Sequence, residues 1–337
     1  MENRYGTMLL AEVERHTWAW PPETIYWGGG TPSLMPLACF DAVMRSIPHE
    51  SVVEATLECA PGTLTAEKVE AWRRSGINRI SFGVQSFVPE EARRTGRKHT
   101  PQTVRTDLSS LKEAGITNVN LDLIAGLPGQ TRASWEVSLD WVERLAPPHV
   151  SVYLFEVDED SNLGREALLG GIRYGAALLP TDDAMAEFYE RAVDRLAAIG
   201  LKRYEISNFA RPAYESRHNL KYWQLEPYVG FGVDAHSFDG TFRYANTDDV
   251  EDYVINLEEG KLAYVSKTSA DREEERFFVG LRLADGITPT PQEWARFEQP
   301  ITRAIDSGLM SHDGNRLRLS DRGYLVSNEV FQEFVHA

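Results

Sequence analysis

At 337 residues, with 42% hydrophobic and 26% charged side chains, the chain has ordinary globular usage and room for one large α/β domain plus a smaller one, which sets aside disorder and low complexity. A formal charge of −16 without any run of Lys or Arg excludes a nucleic-acid footprint, because phosphate binding needs a basic patch. No stretch approaches ~18 consecutive apolar residues, and Met1-Glu2-Asn3-Arg4 lacks the blocks of a signal peptide, so a cytoplasmic protein without a transmembrane segment is expected.

The chain opens in an amphipathic helix, predicted over Arg4 to His16 from the spacing of Met8, Leu9 and Val13. Thr24 to Trp27 is the first strand, and Gly28-Gly29-Gly30-Thr31-Pro32 follows it. Three bare glycines let backbone N–H and C=O groups approach a ligand that any Cβ would hold off, although a flexible connector would look the same. Strands predicted at Val52 to Glu58, Ile77 to Val84, Ile116 to Ile124 and Val150 to Phe155 alternate with helices at Leu37 to Ile47, Ala66 to Ser75, Thr100 to Ala114 and Arg132 to Leu145. That alternation is the signature of βαβ units with a parallel sheet or barrel, whose ligands gather at the strands' C-terminal ends.

The unusual polar residues fall at those ends: Gly29, Gly30 and Thr31 after the first strand, Glu58 on the second, Gln85 on the third, Asp122 near the end of the fourth and Glu156 after the fifth. A turn or cap would explain any one of them; five strand ends together point to a site. Arg97, in Gly96-Arg97-Lys98-His99-Thr100, adds a cation. Carboxylates and one guanidinium suit a zwitterion, with ammonium or ribose hydroxyls on the acids and a carboxylate on the Arg.

A packing helix is predicted over Ala184 to Ile199. It leads into an aromatic stretch, Tyr204 to Phe238, in which His218 and His236 could line the pocket of a flat apolar ligand or be satisfied loop histidines. From about Ala270, short helices at Asp271 to Leu283, Pro291 to Phe297 and Ile301 to Ser307 precede a strand at Arg316 to Leu319 and a helix capped by Ser320. This is a winged-helix-like unit, too mixed in charge to favour DNA.

Trp27 to Leu34, Ser81-Phe82-Gly83-Val84-Gln85-Ser86, Gly96 to Thr100, Asn120 to Thr131, Tyr204 to Phe209 and His218-Asn219-Leu220-Lys221-Tyr222-Trp223 together resemble the HemW heme chaperones. These are radical S-adenosylmethionine proteins related to the oxygen-independent coproporphyrinogen III oxidases. The resemblance implies a partial parallel (β/α) barrel lacking its first strand, with a small C-terminal domain. The expected organisation is a barrel core over 1–165, its completion with the aromatic and His region over 166–265, and the C-terminal domain over 266–337. It implies S-adenosylmethionine and a [4Fe–4S] cluster as cofactors, with Gly29, Gly30, Thr31, Glu58, Gln85, Arg97, Asp122 and Glu156 around the former; Glu156 matches by position alone. It implies heme as cargo for heme-accepting proteins, with His218, His236 and, more weakly, Tyr222 as iron ligands, and Arg217 and Arg243 available to propionates. Transient contact with membrane proteins is compatible with this reading. Coproporphyrinogen III oxidase activity is the alternative.

One departure bears on chemistry. The family's CxxxCxxC motif is absent; Cys39 and Cys59 are too few and too widely spaced to ligate a four-iron cluster. The chain as written is therefore expected to hold no metal, to have no catalytic residue for radical chemistry and to bind S-adenosylmethionine weakly. A reading frame started too late is expected in preference to a natural short form.

Overall fold

The computed structural model describes residues 2–156, 165 and 177–335. Its contacts divide the chain into two units, residues 26–34 with 54–215, and residues 1–25, 35–53 and 216–337. The expected domain boundary at 165/166 falls in the stretch 157–176, of which only residue 165 is described.

The first unit is built on a seven-stranded sheet in the order β1 (Thr24–Trp27), β2 (Glu54–Cys59), β3 (Arg79–Gln85), β4 (Asn118–Ala125), β5 (His149–Leu154), β7 (Asn208–Ala210) and β6 (Lys202–Arg203). The pairs β2/β3, β3/β4 and β4/β5 are parallel, as the alternation with helices requires. Beyond β5 the direction reverses, and β7 and β6 add antiparallel pairs that the sequence pattern did not reveal. Strands of two and three residues are too short to carry a period, so Tyr204 to Phe209 reads only as a polar and aromatic stretch.

The intervening helices start where hydroxyl caps stand. Thr65 accepts from the Lys68 N–H, and Thr100 and Thr131 form reciprocal caps with Thr103 and Ser134. Their apolar faces, with Trp72, Leu111 and Trp135 fully or nearly fully buried, cover one side of the sheet, where Leu57, Ile80, Phe82, Leu121 and Val150 lie.

Because side chains alternate along a strand, the other side carries a different set. In register there, Glu58, Ser81, Asn120 and His149 form one row, and Gly83, Asp122, Ser151 and Asn208 the next. Two adjacent rows of polar residues, most of them buried, make this face of the sheet hydrophilic. Buried polar groups persist only when hydrogen-bonded, and these bond chiefly to one another.

In the second unit the helix Glu2–Arg15 packs on the helices Leu37–Ser46 and Val250–Glu258, with Leu9 and Val13 buried. At Gly6 a Cβ would lie 2.6 Å from Cys39 Sγ, so glycine is what lets the first two helices close on each other. Three antiparallel strands, β8 (His236–Phe238), β9 (Phe242–Asn246) and β10 (Tyr264–Ser269), make a second sheet. Toward the C-terminus come helices Arg272–Gly280, Pro291–Arg296 and Glu298–Asp306, the hairpin β11 (Met310–Asp313) with β12 (Arg316–Leu319), and helices Asp321–Leu325 and Ser327–Gln332. The rings of Phe277, Phe297 and Phe334 form its core. Three helices followed by a hairpin match the expected winged-helix-like arrangement.

Candidate functional site

The C-terminal ends of the first unit's strands surround a cavity of about 420 Å³, within the range of ~300–1,000 Å³ usual for small-molecule sites. Seven of the eight residues expected there line it: Gly30, Thr31, Glu58, Gln85, Arg97, Asp122 and Glu156. The eighth, Gly29, is exposed and does not line it; its N–H donates to Glu58 Oε2 at 3.2 Å.

The glycine run is set by local geometry. Gly29 and Gly30 adopt φ of +76° and +58°, the left-handed region that favours glycine. At Gly28 a Cβ would meet the Tyr26 ring at 2.8 Å. Tyr26 donates its hydroxyl to Glu58 Oε1 at 2.9 Å, so both oxygens of Glu58 are anchored to the strand and turn that precede it. The short turn Pro32–Leu34 that follows is pinned from below. Lys68 Nζ donates to the Ser33 carbonyl at 2.8 Å, and the Ser33 and Thr63 hydroxyls lie 3.2 Å apart.

Gln85 and Arg97 meet across Gly83. A Cβ at Gly83 would lie 2.9 Å from Arg97 Nη2 and 3.3 Å from Gln85 Nε2, so this glycine makes room for the guanidinium over the end of β3. Gln85 itself sits at φ +65°, unusual for a residue with a Cβ, where the register of β3 against β4 shifts. Among the described residues, Gln85 Oε1 and Arg97 Nε are buried without hydrogen-bond partners. An unpaired acceptor and an unpaired donor beside one cavity are what a polar ligand would satisfy.

Asp122 accepts from the Ser81 hydroxyl at 3.1 Å and from Asn120 Nδ2 at 2.7 Å. Burial, aided by the Glu58 charge, pushes its carboxyl up to about 6. Three carboxylates against one guanidinium give the cavity a negative balance suited to a cationic or zwitterionic ligand carrying hydroxyls. Tyr26, Gly83 and Asn120 escaped the sequence reading as site residues. Their signals were the tyrosine two places before the glycine run and the small or polar residue two places before Gln85 and Asp122.

The heme-ligand candidates lie in the second unit. His218, in the helix Arg217–Trp223, places Nδ1 2.9 Å from Thr24 Oγ1 and Nε2 2.8 Å from the Tyr222 hydroxyl, so both ring nitrogens are engaged. Tyr222 packs edge-on against Tyr228, with centroids 4.7 Å apart, and beside Trp223, and burial pushes its phenol up to about 12. His236 is exposed on β8, its Nδ1 3.0 Å from the Asp234 carbonyl. Arg243 does not stand ready for a propionate: its Nε and Nη2 are held by Glu275 at 2.8 and 2.7 Å.

Cys59 is buried at the end of β2, with its thiol pushed up to about 11 by burial, and Cys39 lies in the helix Leu37–Ser46 of the other unit. Among the described residues no group of three or more His, Cys, Asp or Glu side chains could hold a metal ion. With only two thiols, placed in separate units, the residues present do not fit an iron–sulfur cluster.

Residues 4–142 match the Radical SAM superfamily and residues 268–326 the HemN C-terminal domain. The chain is 33% identical to the heme chaperone HemW of Bacillus subtilis, over 93% of this chain and 85% of that one. It is also 33% identical to the HemW of Lactococcus lactis, over 93% and 84%. The structure of coproporphyrinogen III oxidase (HemN) from Escherichia coli superposes with a TM-score of 0.83 over 99% of this chain and 83% of that one; at 21% identity this likeness speaks for the fold. Identity of this order over most of both chains means that the chain belongs to the HemW family of radical S-adenosylmethionine proteins.

Proposed function

We propose that the chain is a heme chaperone: it takes up heme and passes it to heme-accepting proteins, on a scaffold whose strand-end cavity binds S-adenosylmethionine. The observation that carries the first half is the near-complete alignment with relatives named heme chaperone, at identities above those with the oxidase structure. The oxidase alternative has the shared fold and the match to the HemN C-terminal domain in its favour, at lower identity.

The second half rests on the cavity's chemistry. Glu58 and Asp122 would take the ligand's ammonium and ribose hydroxyls, Arg97 its carboxylate, and the Gly29 to Thr31 backbone its methionine end. Gln85 Oε1 and Arg97 Nε would gain the partners they lack. S-Adenosylmethionine, when bound, supplies a cationic sulfonium, which the surplus of carboxylates favours. The cargo requires an imidazole beside an aromatic surface, and the helix Arg217–Trp223 carries both in His218 and in Tyr222 and Trp223.

Titration of hemin into the purified chain tests the proposal, followed by incubation with an apo-heme protein. Saturable binding at one heme per chain with a shifted Soret band, and transfer faster than from free hemin, are the expected results. Non-saturable binding or absence of transfer would defeat it. Among the described residues no helix is long and apolar enough to cross a membrane.

A further inference from the structure

We propose that Tyr204, His149 and Asn120 form a one-way hydrogen-bond chain that positions the Asp122 carboxylate and holds it as an acceptor facing the cavity. The proposal deepens the reading of that cavity as a site for a cationic, hydroxyl-bearing ligand and rests on it.

The direction of every bond in the chain follows from what each atom can do. A carboxylate oxygen only accepts, so the group of Asn120 that lies 2.7 Å from Asp122 Oδ1 is its NH₂, and its carbonyl oxygen faces the other way. That oxygen also only accepts, so His149 Nδ1, 2.6 Å from it, carries a hydrogen. His149 is fully buried, and burial together with the Arg79 charge holds its pKa well below the usual histidine range. A neutral imidazole has one N–H, so Nε2 is bare and accepts from the Tyr204 hydroxyl at 2.9 Å. The phenol, the imidazole and the amide thus all donate toward Asp122.

The flanking serines complete the arrangement. Ser81 donates to Asp122 Oδ2 at 3.1 Å, and Ser151 donates to Asn208 Oδ1 at 2.6 Å. Both also lie within hydrogen-bond distance of Asn120 Nδ2, at 2.8 and 2.9 Å, so its two hydrogens are shared among Asp122 and the two serines. Donors aligned head to tail polarise one another, and in a buried setting each strengthens the next. The end of such a chain favours the ionised form of the group it reaches, against the burial that opposes it. Other ionisable groups around Asp122 are Tyr26 on β1, Glu58 on β2, Arg79 on β3, Tyr153 on β5 and, in the cavity wall, Arg97. Among these residues the chain alone bonds directly to Asn120, and it begins in the Tyr204 to Phe209 stretch, which the cavity does not otherwise use.

The test reads Asp122 directly. In the ligand-free full chain labelled with ¹³C-aspartate, the Asp122 carboxyl signal, assigned by its loss in Asp122→Asn, is titrated with pH. Tyr204→Phe removes one oxygen and is expected to raise the midpoint by about half a pH unit, and His149→Leu by about one. His149→Asn, whose amide can still donate to Asn120, is expected to return most of the shift. S-Adenosylhomocysteine affinity at about pH 5, below both midpoints, is expected to fall about threefold in Tyr204→Phe. A midpoint that stays or falls in folded Tyr204→Phe overturns the chain, and this variant decides the matter even where His149→Leu fails to fold. A raised midpoint together with no nucleoside binding by any form, wild type included, upholds the chain and refutes the ligand reading instead.

Discussion

The backbone N–H of Gly29 donates to Glu58 Oε2 at 3.2 Å, so a carboxylate from the neighbouring strand, and not a ladder of backbone bonds, holds the glycine turn in its left-handed course. Glu58 is thereby both a wall of the cavity and the support of the opposite wall. Glu58→Ala removes the bonds from the Gly29 N–H and the Tyr26 hydroxyl at once. Hydrogen bonds to a charged group contribute about 1.5–3 kcal/mol, so S-adenosylmethionine affinity should drop by roughly tenfold or more. Calorimetry should show this while the circular dichroism of the variant matches wild type; equal affinity would mean that Glu58 faces no ligand.

Asp122 makes the site sensitive to pH in a definite sense. Its carboxyl is pushed up to about 6 from the ordinary 3.8, so the folded chain binds this proton more tightly than the unfolded one. Its contribution to stability is present below the ordinary value and is lost as pH rises through about 6. Ligand binding runs the other way, because an ammonium or hydroxyl needs the carboxylate as acceptor. Affinity for S-adenosylmethionine is expected to be level above pH 7 and to decline as pH falls through about 6. In Asp122→Asn that inflection should vanish; if it persists, another group is titrating.

Gly83 offers a substitution that touches the site and little else. An alanine there brings its Cβ within 2.9 Å of Arg97 Nη2, the far end of a flexible side chain, so the guanidinium moves while the strand stays. Gly83→Ala is expected to weaken binding of the ligand's carboxylate end about fivefold, with the melting temperature within a few degrees of wild type. A larger thermal loss would show that the strand itself had shifted.

These residues also mark what a sequence discloses and what it withholds. Glu58, Gln85 and Glu156 stand where strands give way to loops and Asp122 three residues before the end of β4, a boundary that hydrophobic runs reveal, so their convergence on one cavity could be read before any coordinates. His149, Asn120 and Ser81 form a row only once three strands are laid side by side, and lateral register leaves no trace in a single chain. Direction is withheld for the same reason: nothing in Asn208 to Ala210 tells that β7 runs against β5. The sheet β8 to β10 was missed because its residues sit among glycines and aromatics without a clean alternation.

Glu12 anchors the first helix. Its carboxylate accepts from the Tyr253 hydroxyl at 2.6 Å, the Gly232 N–H at 2.8 Å and Asn246 Nδ2 at 2.9 Å, and burial raises its pKa despite these bonds. Glu12→Ala leaves three donors unpaired and is expected to destabilise the second unit by about 3–5 kcal/mol; Glu12→Gln, which keeps one acceptor, should cost less. Urea unfolding would check the order, and equal midpoints for wild type and Glu12→Ala would contradict it.

The last prediction concerns the iron ligand. His236 turns its Nδ1 to the Asp234 carbonyl but is exposed, without the apolar walls a flat macrocycle needs. His218 stands edge-on to the Tyr222 ring, which packs in turn on Trp223 and Tyr228, yet the Tyr222 hydroxyl occupies its Nε2. Thr24 fixes the other nitrogen, the outer support that ligating histidines commonly have. Tyr222, with its phenol pushed up to about 12, is uncharged at neutral pH and a poor ligand itself. It is better placed as a latch that must swing aside before Nε2 meets iron. Accordingly His218→Ala should lose the Soret shift on hemin addition, and His236→Ala should keep it. Tyr222→Phe, which removes the latch's hydrogen bond and keeps its ring, should bind hemin faster with the same final spectrum. Stopped-flow absorbance separates these outcomes. An unchanged rate in Tyr222→Phe would remove the latch, and an intact Soret shift in His218→Ala would move the ligand to His236 or elsewhere.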